Sequence, residues 1–214
     1  MNPFSKIFVV NLDNEIGRER LDLITQHFAG HEIPFERFKA TEQPRNGSHG
    51  LLWTMKRLFI KCAVENLDNV LVFEDDAELV APFWPFIEEV WPQLPKDYHT
   101  LCLGTNLLSV PERVSPNILR IRSAYATHAM VYSLEAIRMI LKFLDSEFNN
   151  TCASYDILLM KELQTLRKSY CTFPQLALQR PGYSSIEKGN KDWAATSTFT
   201  FHAHTFQLPH TSQL

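Results

Sequence analysis

Val70-Leu71-Val72-Phe73-Glu74-Asp75-Asp76-Ala77 is the stretch on which the fold turns: four apolar residues run without a break into three carboxylates. A continuous β-branched and aromatic run predicts a strand buried on both faces, as in a parallel sheet covered by helices on each side. Ile7-Phe8-Val9-Val10 has the same character and leads into Asn11-Leu12-Asp13. In open α/β sheets ligands bind beyond the carboxyl ends of the strands. Asn11-Leu12 and Glu74-Asp75-Asp76 therefore stand where chemistry belongs.

Helical patterns separate and follow these runs. Between Arg18 and Phe28, Leu21, Ile24 and Phe28 recur at helical spacing, and Gly30 is a stop signal. Phe35–Phe38 is a second candidate strand, and the Pro-, Gly- and Asn-rich residues 41–50 form a loop. Ser48 is placed to cap a helix carrying Leu52, Met55, Phe59 and Cys62. Further on, 82–91, 134–144 and 155–166 read as helices, and 98–103 and 127–132 as strands. The two prolines within 109–117 predict a surface loop. Alternating strands and helices predict an α/β fold with a mostly parallel central sheet flanked by helices. One domain over residues 1–188 is expected, with 189–214 as a C-terminal tail that closes over the site.

The composition is that of an ordinary globular chain: 214 residues, 45% hydrophobic, 21% charged and 12% aromatic, with a net charge of -3. No basic excess advertises nucleic acid or an anionic membrane. The four cysteines, Cys62, Cys102, Cys152 and Cys171, form no CxxC pair and no zinc-ligand spacing. The short run at 7–10 is neither a signal-peptide core nor a membrane span. These features predict a soluble, cytoplasmic protein with no integral membrane segment.

Five groups of residues carry candidate chemistry. Glu74-Asp75-Asp76 suits a hard divalent cation that could hold a diphosphate, although a solvated acidic turn reads the same way. Asn11-Leu12 opens towards ligand, and Arg18 could pair with a phosphate or be a plain surface arginine. His49 and Trp53 share a helix face and could receive a base or sugar ring, or simply pack. Asp156 is a candidate general base or a favourable helix-start acid. His202 and His204, on the same side of a strand, could bind metal.

The order of these motifs resembles glycosyltransferase family 25, the lipopolysaccharide-biosynthesis and procollagen galactosyltransferase family. The residues that carry the likeness are Val9-Val10-Asn11-Leu12 with Arg18, Phe38-Lys39-Ala40-Thr41, and Ser48-His49 with Trp53. They continue in Val70–Ala77, Thr127–Ser133, Tyr155-Asp156-Ile157 and Gln179–Ile186. The likeness is collinear over residues 7–188. Ser185 stands where that family has aspartate, and the segment before Ser48-His49 lacks its Gly-Cys pair.

The resemblance implies a GT-A-like single domain that moves a hexose, galactose or glucose, from a UDP-sugar to a hydroxyl on a saccharide or glycoconjugate, with inversion. It implies Mn2+ or Mg2+, with Glu74, Asp76 and His204 as metal residues. Asn11, Leu12, Arg18, Thr41, His49 and Trp53 are then donor-site residues, and Asp156, with Asp75 as the second candidate, is the base. Two other classes compete. One is a catalytically inactive relative that binds a sugar or nucleotide or scaffolds another enzyme. The other is a metal-dependent phosphohydrolase, disfavoured because Asn11-Leu12-Asp13-Asn14 lacks the Asp-x-Asp that should follow the first strand.

Overall fold

The computed structural model describes residues 2–43, 46–147, 154–184 and 189–191. His202, His204, His210 and Ser185 lie outside the described residues. Five strands form the body of the sheet: β1 (Lys6–Asn11), β2 (Glu36–Lys39), β3 (Val70–Glu74), β5 (Thr100–Cys102) and β10 (Ala129–Tyr132). β11 (Ser169–Thr172), β8 (Ile118–Arg120) and β7 (Glu112–Ser115) complete eight strands in the order β2-β1-β3-β10-β5-β11-β8-β7. β10 runs antiparallel to β3 and β5, and β8 antiparallel to β11 and β7; the others share one direction. Six of the eight strands thus run in one direction, and β10 and β8 run against them.

Helices cover both faces because the strands are apolar on both. Phe8, Val10, Val70, Val72 and Met130 pack towards α2 (Gly47–Val64), α4 (Leu134–Glu147) and α5 (Tyr155–Glu162). Ile7, Val9, Leu71, Phe73 and Val131 pack towards α1 (Glu15–Gly30) and α3 (Phe83–Val90). The period of two along each strand divides the core into these two layers. The chain leaves β1 through α1 to reach β2, then returns through α2 on the opposite face to β3. That reversal opens a crevice at the carboxyl ends of β1 and β3.

Several expectations shift in detail. α1 begins at Glu15, earlier than expected, because the Asn14 side chain accepts from the Gly17 N–H at 2.9 Å. α2 is capped by Asn46, whose Oδ1 accepts from the His49 N–H at 3.2 Å, rather than by Ser48. The segment expected as a surface loop at 109–117 contains β7, paired with β8. Proline is tolerated there because β7 is the sheet edge and Pro116 lies in its turn. Helix α5 ends at Glu162 and is followed by a 3-10 turn, Gln164–Leu166.

Three short ribbons shape the end of the sheet where the crevice opens: β4 (Ala77–Leu79) with β12 (Ala177–Gln179), β6 (Asn106–Leu107) with β9 (Ala124–Tyr125), and β13 (Gly182–Ser184) with β14 (Gly189–Lys191). No helix among the described residues is long and apolar enough to cross a membrane.

Candidate functional site

Two clefts adjoin at the carboxyl ends of β1 and β3. The first, about 290 Å³, is walled by Asn11, Leu12, Arg20, Thr41, Asp76 and Arg180. The second, about 440 Å³, is walled by Asn106, Leu107, Tyr125, Thr127, Tyr155 and Asp156. Leu51, Glu74, Gln179 and Ser184 line both, so Glu74 stands at the partition.

The first cleft is organised around Asn11, which is 1% exposed. Its amide nitrogen donates to the Gly17 carbonyl and to Asp75 Oδ2, both at 2.7 Å. Its Oδ1 accepts from Arg37 Nε at 2.9 Å. Gly17 permits this closure, since a Cβ there would fall 2.7 Å from the Leu12 carbonyl carbon. The Asn11 carbonyl accepts from the Ala40 N–H, and the Leu12 carbonyl from Arg37 Nη2. Asn11 is therefore the keystone of the cleft wall, with its own carbonyl and that of Leu12 bonded within the protein.

Asp75 Oδ1 accepts from Arg20 Nη1 at 3.0 Å, and Arg20 Nη2 reaches the Tyr183 carbonyl at 2.6 Å. Burial pushes the Asp75 carboxyl up, against the opposing pull of Arg20. With both oxygens engaged, Asp75 holds Arg20 and Asn11 in place rather than offering a free proton acceptor. The arginine that α1 brings to the cleft is Arg20, not Arg18: Gly17, Arg20 and Ile24 share one face of α1, whereas Arg18 is turned off it and exposed.

Glu74 closes β3, and Asp75 and Asp76 lie in the turn that follows it. Asp76 Oδ2 accepts from Gln179 Nε2 at 3.1 Å, and its carbonyl accepts from the Arg180 N–H at 2.7 Å. Asp76 Oδ1 and Arg180 Nη1 are buried without a hydrogen-bond partner among the described residues. Glu74 Oε1 accepts from Thr127 Oγ1 at 2.7 Å. Burial, then the charge of Asp76, pushes the Glu74 carboxyl up to about 8, with Asp75 and Asp156 adding to the rise. Thr127 reaches it because Ala126 turns the chain with φ 74°, a left-handed conformation held here by a non-glycine residue.

Asp156 lies in the first turn of α5, facing the second cleft. Tyr155 beside it is buried and donates to the Tyr132 hydroxyl at 3.1 Å, pinning that turn to the sheet. Thr41 lines the first cleft, its N–H donating to Thr54 Oγ1 at 2.8 Å and its hydroxyl accepting from Arg57. His49 and Trp53 line neither cleft; Trp53 is 41% exposed, with Lys56 over its ring. Among the described residues no group of three metal-ligating side chains forms, and His204 lies outside them. The structure thus brings together Asn11, Leu12, Thr41, Glu74, Asp75 and Asp76, with Asp156 next door. Arg20, Thr127, Gln179 and Arg180 join them and were missed. Arg20 carried a signal in its helical spacing from Ile24 and Phe28, and Thr127, Gln179 and Arg180 in the segments that carry the family resemblance.

No protein-family model and no curated protein matches the chain. Among solved structures, the chain is similar to a glycosyltransferase involved in the glycosylation of the major capsid of PBCV-1. The two share 12% identity and a TM-score of 0.53, over 85% of this chain and 96% of that one. It also matches the protein A197 from STIV, at 8% identity and a TM-score of 0.44, over 81% of this chain and 92% of that one. The first likeness is one of fold: a mixed α/β domain with a large, mostly parallel sheet, arranged as in a glycosyltransferase.

Proposed function

We propose that the chain is an inverting glycosyltransferase of the family 25 type, moving a hexose from a UDP-sugar to an acceptor hydroxyl. The observation that carries this reading is the pair of clefts meeting at Glu74. One places arginines beside a carboxylate cluster, and the other places a carboxylate, Asp156, beside neutral polar and apolar groups. A donor with a diphosphate and an acceptor with a hydroxyl need such a division of charge.

The first cleft suits the nucleotide sugar. Arg20 is held rigidly by Asp75, and the unpartnered Nη1 of Arg180 is free to bond phosphate oxygen. The residues also fit a hard divalent cation. Asp76 Oδ1 is a buried carboxylate oxygen with no partner among the described residues, and burial pushes the carboxyls of Glu74 and Asp76 above their ordinary range. Asp76, with Glu74, would hold Mn2+ or Mg2+, which supplies positive charge against that of the leaving diphosphate.

In the second cleft Asp156 accepts the proton of the attacking hydroxyl. The hydroxyl oxygen bonds to the anomeric carbon on the face opposite the diphosphate. The bond from that carbon to the phosphate oxygen breaks, and its electron pair departs with UDP. Tyr155 and Tyr132 fix the turn that carries Asp156, so the carboxylate is oriented before the acceptor arrives.

Calorimetric titration with UDP, with and without Mn2+, tests the donor half. The expectation is metal-enhanced UDP binding that Asp76→Asn abolishes while the melting temperature stays near that of the parent. UDP binding indifferent to Mn2+ and to Asp76→Asn would remove the metal from this reading, and no UDP binding at all would sink it.

A further inference from the structure

We infer that the second cleft is built to hold an uncharged saccharide, and that acceptors bearing phosphate or carboxylate are excluded from it. The inference rests on the transfer reading only for the identity of what lies in the first cleft.

Three observations carry it. The first is charge. None of the described residues lining this cleft is basic, and Asp156 faces it away from the partition, whereas both arginines line the neighbouring cleft. An anionic acceptor would be repelled by Asp156 and would find, among the described lining residues, no guanidinium or ammonium to offset it. The second is the character of the walls. Tyr125, Leu107, Leu108 and Ile157 give an apolar surface, and Asn106 and Thr127 give neutral hydrogen-bonding groups. A pyranose has apolar C–H faces and a rim of hydroxyls, so an aromatic and aliphatic wall edged by amide and hydroxyl groups is complementary to it. Leu108 is 46% exposed on a wall that gains by being covered.

The third is that the wall is pre-formed. The buried Gln164 amide holds Ala124 on both sides, accepting from its N–H at 2.8 Å and donating to its carbonyl at 3.0 Å. Thr105 Oγ1 donates to the Tyr125 carbonyl at 2.6 Å, and Gln175 in turn donates to the Thr105 carbonyl at 2.7 Å. The buried Gln164 amide, spent on the ribbon backbone, and the Thr105 hydroxyl fix the platform that presents Tyr125. A pre-formed site does not have to be ordered when ligand arrives.

Saturation-transfer NMR on the whole protein tests this directly, without turnover. The probes are the methyl glycosides of glucose, galactose, mannose, xylose and rhamnose, set against glucuronate, galacturonate and the 6-phosphates of the hexoses. At least one neutral glycoside should receive saturation, and the anionic sugars should bind at least roughly tenfold more weakly. Tyr125→Ala and Leu108→Ala should each weaken the neutral probe, by about tenfold for the tyrosine, with melting temperature and UDP affinity unchanged. Asp156→Asn should narrow the gap between neutral and anionic probes. Anionic sugars that bind as well as neutral ones, no neutral glycoside that binds, or binding indifferent to both wall variants would overturn the inference. UDP titration on the same samples separates the two readings. UDP binding without glycoside binding refutes the acceptor site alone. Glycoside binding without UDP binding refutes the transferase and leaves a saccharide site.

Discussion

Replacing Asn11 by alanine removes one small amide and should cost the protein a large part of its stability. The side chain makes three hydrogen bonds inside the fold: to the Gly17 carbonyl, to Asp75 Oδ2 and from Arg37 Nε. Two of these have charged partners, each worth about 1.5–3 kcal/mol, and the neutral one contributes about 1 kcal/mol. Asp75 is 7% exposed, so water cannot readily replace the lost donor, and its carboxylate keeps Arg20 as its remaining partner. Part of the Arg37 bond is recoverable, because that guanidinium also reaches Asp13 at 3.1 Å. The expected loss is about 4 kcal/mol, against total stabilities of about 5–15 kcal/mol for domains of this kind. Urea denaturation of Asn11→Ala, Asp75→Asn and the double variant reads it out. The pair should couple by about 1–3 kcal/mol, because the two side chains share one bond. Additivity to within about 0.5 kcal/mol, or a loss under about 1 kcal/mol for Asn11→Ala, would refute the keystone role and return Asn11 to the ligand.

Asp156→Asn should lower turnover by about 10²–10⁴-fold with UDP affinity unchanged; normal turnover with a lowered melting temperature would reassign Asp156 to the start of α5. Gly104→Ala should shift β12 or prevent folding, because a Cβ there would overlap the Ala177 carbonyl and lie 2.5 Å from His128 Nε2; a melting temperature equal to the parent's would contradict the close approach. Burial pushes the His128 imidazole down to about 4 from an ordinary 6.5. The unfolded chain therefore binds the extra proton first: His128 leaves stability intact above pH 6.5 and erodes it as pH falls towards 4, by up to about 3 kcal/mol. Glu74, raised to about 8, tilts the metal-free profile the other way, favouring the folded state at low pH and losing that contribution as pH rises from about 4.5 to 8. Denaturation of His128→Gln beside the parent isolates the first effect, and parallel pH profiles for the two would disprove it.

The strands that build the site were legible in the sequence because they are buried on both faces. Ile7–Val10 and Val70–Phe73 are unbroken apolar runs, and such runs have few alternatives to a central strand. The polar residues at their ends, Asn11 and Glu74-Asp75-Asp76, were found for the same reason. The β2 edge of the sheet was read near its place, as Phe35–Phe38, but the β7 edge was not legible. β7 has one neighbour and a proline at its turn, and half-exposed edge residues carry no apolar pattern. β11, Ser169–Thr172, is buried throughout yet reads as polar, since Ser169 and Thr172 satisfy their backbone in the ladder and hide their small side chains.

What each carboxylate does was decided only by the tertiary structure. The sequence by itself determined that three acids follow a buried strand. It could not say that Asp75 is consumed by Asn11 and Arg20, that Asp76 keeps one oxygen unpartnered, or that Glu74 stands between two clefts. Those differences come from partners distant in the chain: Arg20 from α1, Thr127 from the turn before β10, Gln179 and Arg180 from beside β12. A hydrogen bond is made at about 3 Å in space and leaves no periodic trace along a sequence, so residues with identical chemistry at adjacent positions acquire separate roles only when the chain closes around them.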